Sequence, residues 1–137
     1  MKAIVFNVKE EEKQILSLAN GKKHDITMIS NEINLKTVVY ACGKQVVVLS
    51  SFDILDYHLI KELKMLGVSR VISRSSALTH VDLKAAAELG MEVVQLSCES
   101  GSIQEIANQM IGYMDFWEKE TLNKVGDEER VICNEKK

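Results

Sequence analysis

Two short segments bring together groups that could hold an anion. Arg74-Ser75-Ser76 offers a guanidinium and two hydroxyls, and Ser100-Gly101-Ser102 leads into an apolar-periodic run that begins at Ile103. A helix N-terminus presents free N–H groups and the positive end of its dipole, so a carboxylate or phosphate would be favoured there. Both segments also have a structural reading. Ser102-x-x-Glu105 is a capping box, in which the serine accepts from the amide of Glu105 and the glutamate reaches back, so these residues can simply start the helix. An arginine such as Arg74 can be ion-paired within the fold.

Other reactive side chains give weaker patterns. Cys98 stands close to the same helix start, either as a thiol with lowered pKa or as a small filler. Cys42, Cys98 and Cys133 are odd in number and far apart, which points to reduced thiols and not to a disulfide framework or a Cys-x-x-Cys site. His24, His58 and His80 have no i, i+4 partner, so no metal site is expected; His80 sits two residues before Asp82, a helix-start position. There is no G-x-G-x-x-G, and Asn7–Glu12 is charged where a flavin phosphate loop would carry Ser, Thr and Gly, so no cofactor is expected. A phosphate-accepting receiver domain would need an acidic pair after its first strand, where this chain has Asn7-Val8-Lys9.

The elements that place these residues alternate. Residues 2–8, 25–29, 45–49, 70–73 and 92–96 read as strands, the third with three consecutive valines, as expected of a strand covered on both faces. Residues 10–19, 35–42, 55–66, 82–89 and 102–119 read as helices, most of them closed by a glycine such as Gly43, Gly67 or Gly90. Such alternation predicts a parallel sheet with helices on both faces, a three-layer flavodoxin-like or Rossmann-like α/β domain with strand order 2-1-3-4-5. Ligands of open sheets of this kind bind outside the carboxyl ends of the strands, which here are Asn7, Ser50 to Asp53, Arg74 to Thr79 and Ser97 to Ser102.

The chain has 137 residues, 46% hydrophobic and 27% charged, enough for one domain over residues 1–120 with a polar tail over 121–137. A net charge of −3 with scattered Lys and Arg gives no footprint for nucleic acid. No apolar stretch reaches the roughly 18 to 20 residues needed to cross a bilayer, and the start lacks the pattern of a secretory signal, so a cytoplasmic protein is expected. On the last helix, apolar residues cover an arc of roughly 160°, wider than the usual one-sided stripe. Tyr113, Phe116 and Trp117 lie together near its end, and aromatic anchors of this kind are enriched at interfaces. A homodimer, or a protein partner, is expected to cover them.

The stretch from Leu55 to Leu96, with Arg74-Ser75, Val81-Asp82-Leu83, Lys84-Ala85-Ala86 and Glu88-Leu89-Gly90 at matching spacing, resembles the middle of the catalytic domain of D-lactate and related D-2-hydroxyacid dehydrogenases. The opening KAIVFNVKEEEKQ and Lys23-His24-Asp25-Ile26-Thr27 are similar to that family's start, and the resemblance covers residues 1 to 119. It implies a substrate-carboxylate loop at Arg74, Ser75, Ser76 and Ala77, facing a turn at Ser100, Gly101 and Ser102. The family's loop glycine falls on Ala77 and its following aspartate on Thr79, and its Tyr-Ser-Pro turn becomes Glu99-Ser100-Gly101. In the family the coenzyme loop, the substrate arginine and the catalytic histidine follow this domain. The resemblance therefore implies a stand-alone, non-catalytic binding or interaction protein with no bound nicotinamide, or else one half of a split NAD-dependent oxidoreductase completed by a separate nucleotide-binding subunit.

Overall fold

The strands are β1 (Lys2–Val5), β2 (Asp25–Met28), β3 (Val46–Leu49), β4 (Arg70–Ser73) and β5 (Glu92–Gln95). Between and after them run helices α1 (Glu10–Asn20), α2 (Tyr57–Met65), α3 (Leu83–Glu88) and α4 (Ile103–Asn123), with a 3-10 turn at Val38–Ala41. These elements come from a computed structural model that describes residues 1–74, 78–96 and 102–123, with side chains to residue 120. Every strand pairing is parallel and the order is β2-β1-β3-β4-β5, as the alternation of elements predicts.

Successive side chains of a strand point to opposite faces, and the apolar runs use both. Ala3, Val5, Val46, Val48 and Ile72 enter one core with Leu16 of α1 and with Ala107, Met110, Met114 and Trp117 of α4. Ile4, Phe6, Val47, Leu49 and Val71 enter the other with Leu59, Ile60 and Leu63 of α2 and with Ala85 and Ala86 of α3. Asp56 and Asp82 cap α2 and α3, accepting from the amides of Leu59 and Ala85 at 3.0 and 3.1 Å. Among the described residues no helix is long and apolar enough to cross a membrane.

Three boundaries differ from the sequence reading for local reasons. β1 stops at Val5 because Asn7 takes a left-handed φ of 58° and turns the chain. In place of a helix over residues 35–42 there is only the turn at Val38–Ala41. There the Asn34 side chain accepts from the amides of Lys36 and Thr37 at 2.8 and 3.0 Å, so a side-chain turn takes the first helical positions. α4 continues to Asn123, since residues 120–123 contain neither glycine nor proline.

Two expectations are corrected. Trp117 is 2% exposed, so it anchors the chain's own core and not an interface. Its ring lies 4.8 Å from the Arg70 guanidinium carbon and 5.5 Å from the Tyr113 ring, because both the sheet and α1 draw on the wide apolar arc of α4. Cys42 is disulfide-bonded, so it is not a reduced thiol. Distance along the sequence is no guide to separation in a crossover fold.

At the amino ends of the strands a polar clasp holds α4. His24, on the turn before β2, has its side chain 1% exposed, with Nε2 2.8 Å from Asp115 Oδ1 and Nδ1 3.3 Å from Glu118 Oε1. Lys23 Nζ adds a contact of 3.1 Å to Asp115 Oδ2. Burial works against the charge of Asp115, but hydrogen bonds from His24 and Lys23 outweigh it and hold the carboxyl below its ordinary value.

Candidate functional site at the carboxyl edge of the sheet

The turn after β1 carries the first part of the site. With Asn7 left-handed, the carbonyls of Phe6 and Asn7 face the end of β4, where Arg74 Nη2 donates to them at 2.7 and 3.3 Å. Arg74 Nε donates to the carbonyl of Leu49 at 3.2 Å and Nη1 to Glu12 Oε1 at 3.0 Å, and the side chain is 8% exposed. Glu12 Oε1 also accepts from the Lys9 amide at 2.7 Å, so one carboxylate starts α1 and pairs with the arginine. Arg74 thus ties the ends of β1, β3 and β4 to α1.

A second network joins the ends of β1 and β3. Asp53 is 1% exposed; Oδ1 accepts from the amide of Ile33 at 3.0 Å, and Oδ2 accepts from the amide and hydroxyl of Ser50 at 2.8 and 3.1 Å. The Ser50 hydroxyl in turn accepts from Asn7 Nδ2 at 3.2 Å and from the Phe52 amide at 3.1 Å. The buried carboxylate is satisfied by main chain and hydroxyl together, and it fixes the loops after β2 and β3 against each other.

Beside this network the chain leaves an open cleft of about 590 Å³ between the loop after β3 and the segment before α3. The main chain closes its floor, with the Leu55 amide donating to the His80 carbonyl at 2.8 Å and the Asp82 amide to the Leu55 carbonyl at 2.9 Å. His80 is half-buried in the wall, its Nε2 3.2 Å from Ser73 Oγ. Desolvation lowers its pKa below the ordinary histidine value, with the Asp53 charge opposing. Phe52 and Ile54, at 74% and 67% exposure, stand on the opposite rim. A cleft of this kind can receive an apolar group alongside a neutral imidazole. Among the described residues no group of three or more His, Cys, Asp or Glu is placed to hold a metal ion.

The sequence-predicted anion residues meet different fates. Arg74 reaches the strand ends as expected, but its donors are committed to protein acceptors. Ser102 Oγ accepts from the Glu105 amide at 3.3 Å, which is the capping reading. Ser75, Ser76, Ala77, Ser100 and Gly101 lie outside the described residues. The sequence reading singled out neither Asp53 nor the His80–Ser73 contact as part of a site. The only signal for them was their position just after β3 and before α3.

No family model matches the chain. A 2-hydroxyacid dehydrogenase homolog of Haemophilus influenzae is 31% identical over 115 residues, which is 83% of this chain and 34% of that protein. The D-lactate dehydrogenase of Salmonella superposes with a TM-score of 0.68 at 29% identity, over 72% of this chain and 30% of that one. The apo D-lactate dehydrogenase of Escherichia coli gives 0.69 at 29% identity, over 72% and 31%. The chain thus spans about a third of the length of these relatives. By sequence and by structure, it carries part of the fold of the D-isomer-specific 2-hydroxyacid dehydrogenases, the group that includes D-lactate dehydrogenase.

Proposed function

We propose that this chain works as a binding or interaction module built on a dehydrogenase-type domain, and does not transfer hydride by itself. The state of Arg74 is the observation that supports this most directly. Its three nitrogens serve three main-chain carbonyls and Glu12, so the cation at the strand ends closes the fold instead of offering its charge to a 2-oxo acid. Reduction of such an acid requires a proton donor positioned at the carbonyl and a nicotinamide held against the carbon. Calorimetry with NAD and NADH, together with assays of NADH-dependent reduction of pyruvate and longer 2-oxo acids, tests the reading on the purified chain. Neither binding nor turnover is expected, and a micromolar NAD site would overturn it.

One feature favours a second reading, half of a split oxidoreductase. Phe52 and Ile54 are exposed together on the rim of the cleft, at the sheet edge where ligands of α/β domains sit. A separately encoded nucleotide-binding subunit would cover them. In that case dehydrogenase activity should appear only on mixing the two chains and should be lost with Phe52→Asp combined with Ile54→Asp. Recovery of the native chain without any NAD-binding companion would exclude this second reading.

A further inference from the structure

The cleft between the loop after β3 and the segment before α3 is lined unevenly in charge. Its apolar walls include Phe52, Ile54 and Val81, and its volume of about 590 Å³ is that of a small-molecule site. Asp56 and Asp82 also line it, and among the described residues no lysine or arginine does. His80 adds no positive charge at neutral pH, because desolvation lowers its pKa. Both aspartates are helix N-caps, but capping uses only one oxygen of each. Oδ1 of Asp56 accepts from the Leu59 amide and Oδ1 of Asp82 from the Ala85 amide, whereas neither Oδ2 has a hydrogen-bond or ion-pair partner among the described residues. A helix end carries the equivalent of roughly half a positive charge, against the whole negative charge of its aspartate, so the wall stays net negative.

We propose that this cleft binds a small organic amine, whose ammonium group donates to the free oxygens of Asp56 and Asp82 while its apolar body rests on Phe52, Ile54 and Val81. An anion such as a 2-oxo acid would meet two carboxylates and no counter-charge, since Arg74 is committed to protein acceptors. A neutral apolar compound would fill the walls, but it would take water from the two free oxygens and return no donor. An ammonium supplies three N–H donors and the opposing charge at once. Phe52, 74% exposed on the rim, adds an aromatic face that attracts a cation. The inference deepens the reading of the chain as a binding module and rests on it.

Calorimetry on the full chain tests it with three probes of similar shape: phenethylamine, phenethyl alcohol and phenylacetate. Phenethylamine should bind at least about tenfold more tightly than the alcohol, and phenylacetate least, because like charges across a contact reject the wrong ligand. Amide shifts induced by phenethylamine in NMR spectra should centre on residues 51–56 and 79–82. Asp56→Asn combined with Asp82→Asn preserves both caps, since asparagine caps as well as aspartate. That chain should bind phenethylamine no better than the alcohol, with its affinity for the alcohol unchanged and thermal melting showing it folded. Phe52→Ala, at an exposed position that touches neither cap, should also weaken phenethylamine. Phenylacetate bound as tightly as phenethylamine overturns the proposal. So do an amine affinity indifferent to the paired asparagines, shifts centred elsewhere, or no amine binding at millimolar concentration. Those outcomes leave the absence of hydride transfer standing, whereas an NAD site would overturn the binding-module reading itself.

Discussion

Arg74 and Glu12 are the pair on which the strand ends depend, and they illustrate how a residue can be found in a sequence without its role being found. The guanidinium is 8% exposed and bonded to acceptors from β1, β3 and α1, so removing it leaves a carboxylate and three carbonyls short of donors. Arg74→Ala should destabilise the chain by about 3 kcal/mol in urea unfolding, in the range for breaking a buried charged pair. Arg74→Lys should recover only part of this, because one ammonium cannot span acceptors on several sides. A loss below about 1 kcal/mol would show that the contacts are peripheral. The motif made Arg74 visible; the identity of its acceptors depends on the left-handed turn at Asn7, which no spacing rule announces. Asp53 was harder still, since its donors come from Ile33 and Ser50 on separate loops. His80 adds a dependence on pH. Desolvation holds its folded pKa below the ordinary value, so as pH falls through that ordinary value the unfolded chain takes up a proton that the folded chain resists. The contribution is present above the ordinary histidine pKa and is lost as pH falls toward the folded one. His80→Gln should flatten that part of the stability profile, and an unchanged slope would mean that His80 titrates normally.

At the scale of elements, α4 separates what an apolar pattern can and cannot tell. A helical wheel identifies the wide apolar arc and the aromatic cluster, yet it cannot say which aromatic faces inward, because α4 sits across both the sheet and α1. The structure divides neighbours sharply: Trp117 is 2% exposed and Phe116 58%. Trp117→Ala should therefore cost about 3 to 5 kcal/mol through the cavity it leaves. Phe116→Ala, measured in dilute solution, should stay within about 0.5 kcal/mol. Comparable losses for both would contradict the packing of α4. The clasp between His24 and α4 depends on pH in the same direction as His80, but over the more acidic range of a carboxylate. Asp115 is held below its ordinary pKa by His24 and Lys23 against the cost of burial, so its contribution persists down to the ordinary carboxylate pKa and disappears as pH falls through the lowered folded value. Helix and strand identity followed from periodicity, whereas the 3-10 turn at Val38–Ala41 did not, because the Asn34 side chain competes for amides that a periodic pattern assigns to a helix.

For the whole molecule, the order β2-β1-β3-β4-β5 creates a gradient of protection from the centre of the sheet to its edges. The alternation of elements points to a flavodoxin-like sheet with this order, and the valine run at residues 46–48 marks a strand covered on both faces. All four residues of β3 are buried, as are three of four in β1 and in β4, whereas β2 and β5 contain only exposed and half-buried positions. Amides whose opening would expose both cores can exchange only when the chain unfolds as a whole, while those at an edge can open in smaller units. Native-state hydrogen exchange should accordingly find the slowest amides in β3 and the adjoining positions of β1 and β4, with a free energy of opening that tracks global unfolding in denaturant. Amides of β2 and β5 should exchange through openings less sensitive to denaturant. The two edges should also differ from each other. β2 carries the His24 clasp to α4 at its start, whereas the Arg70 Nε contact to Glu92 at the start of β5 is 3.3 Å long and exposed. β5 should therefore be the first strand to open. Protection in β5 equal to that in β3 would mean that something outside the described residues covers that edge.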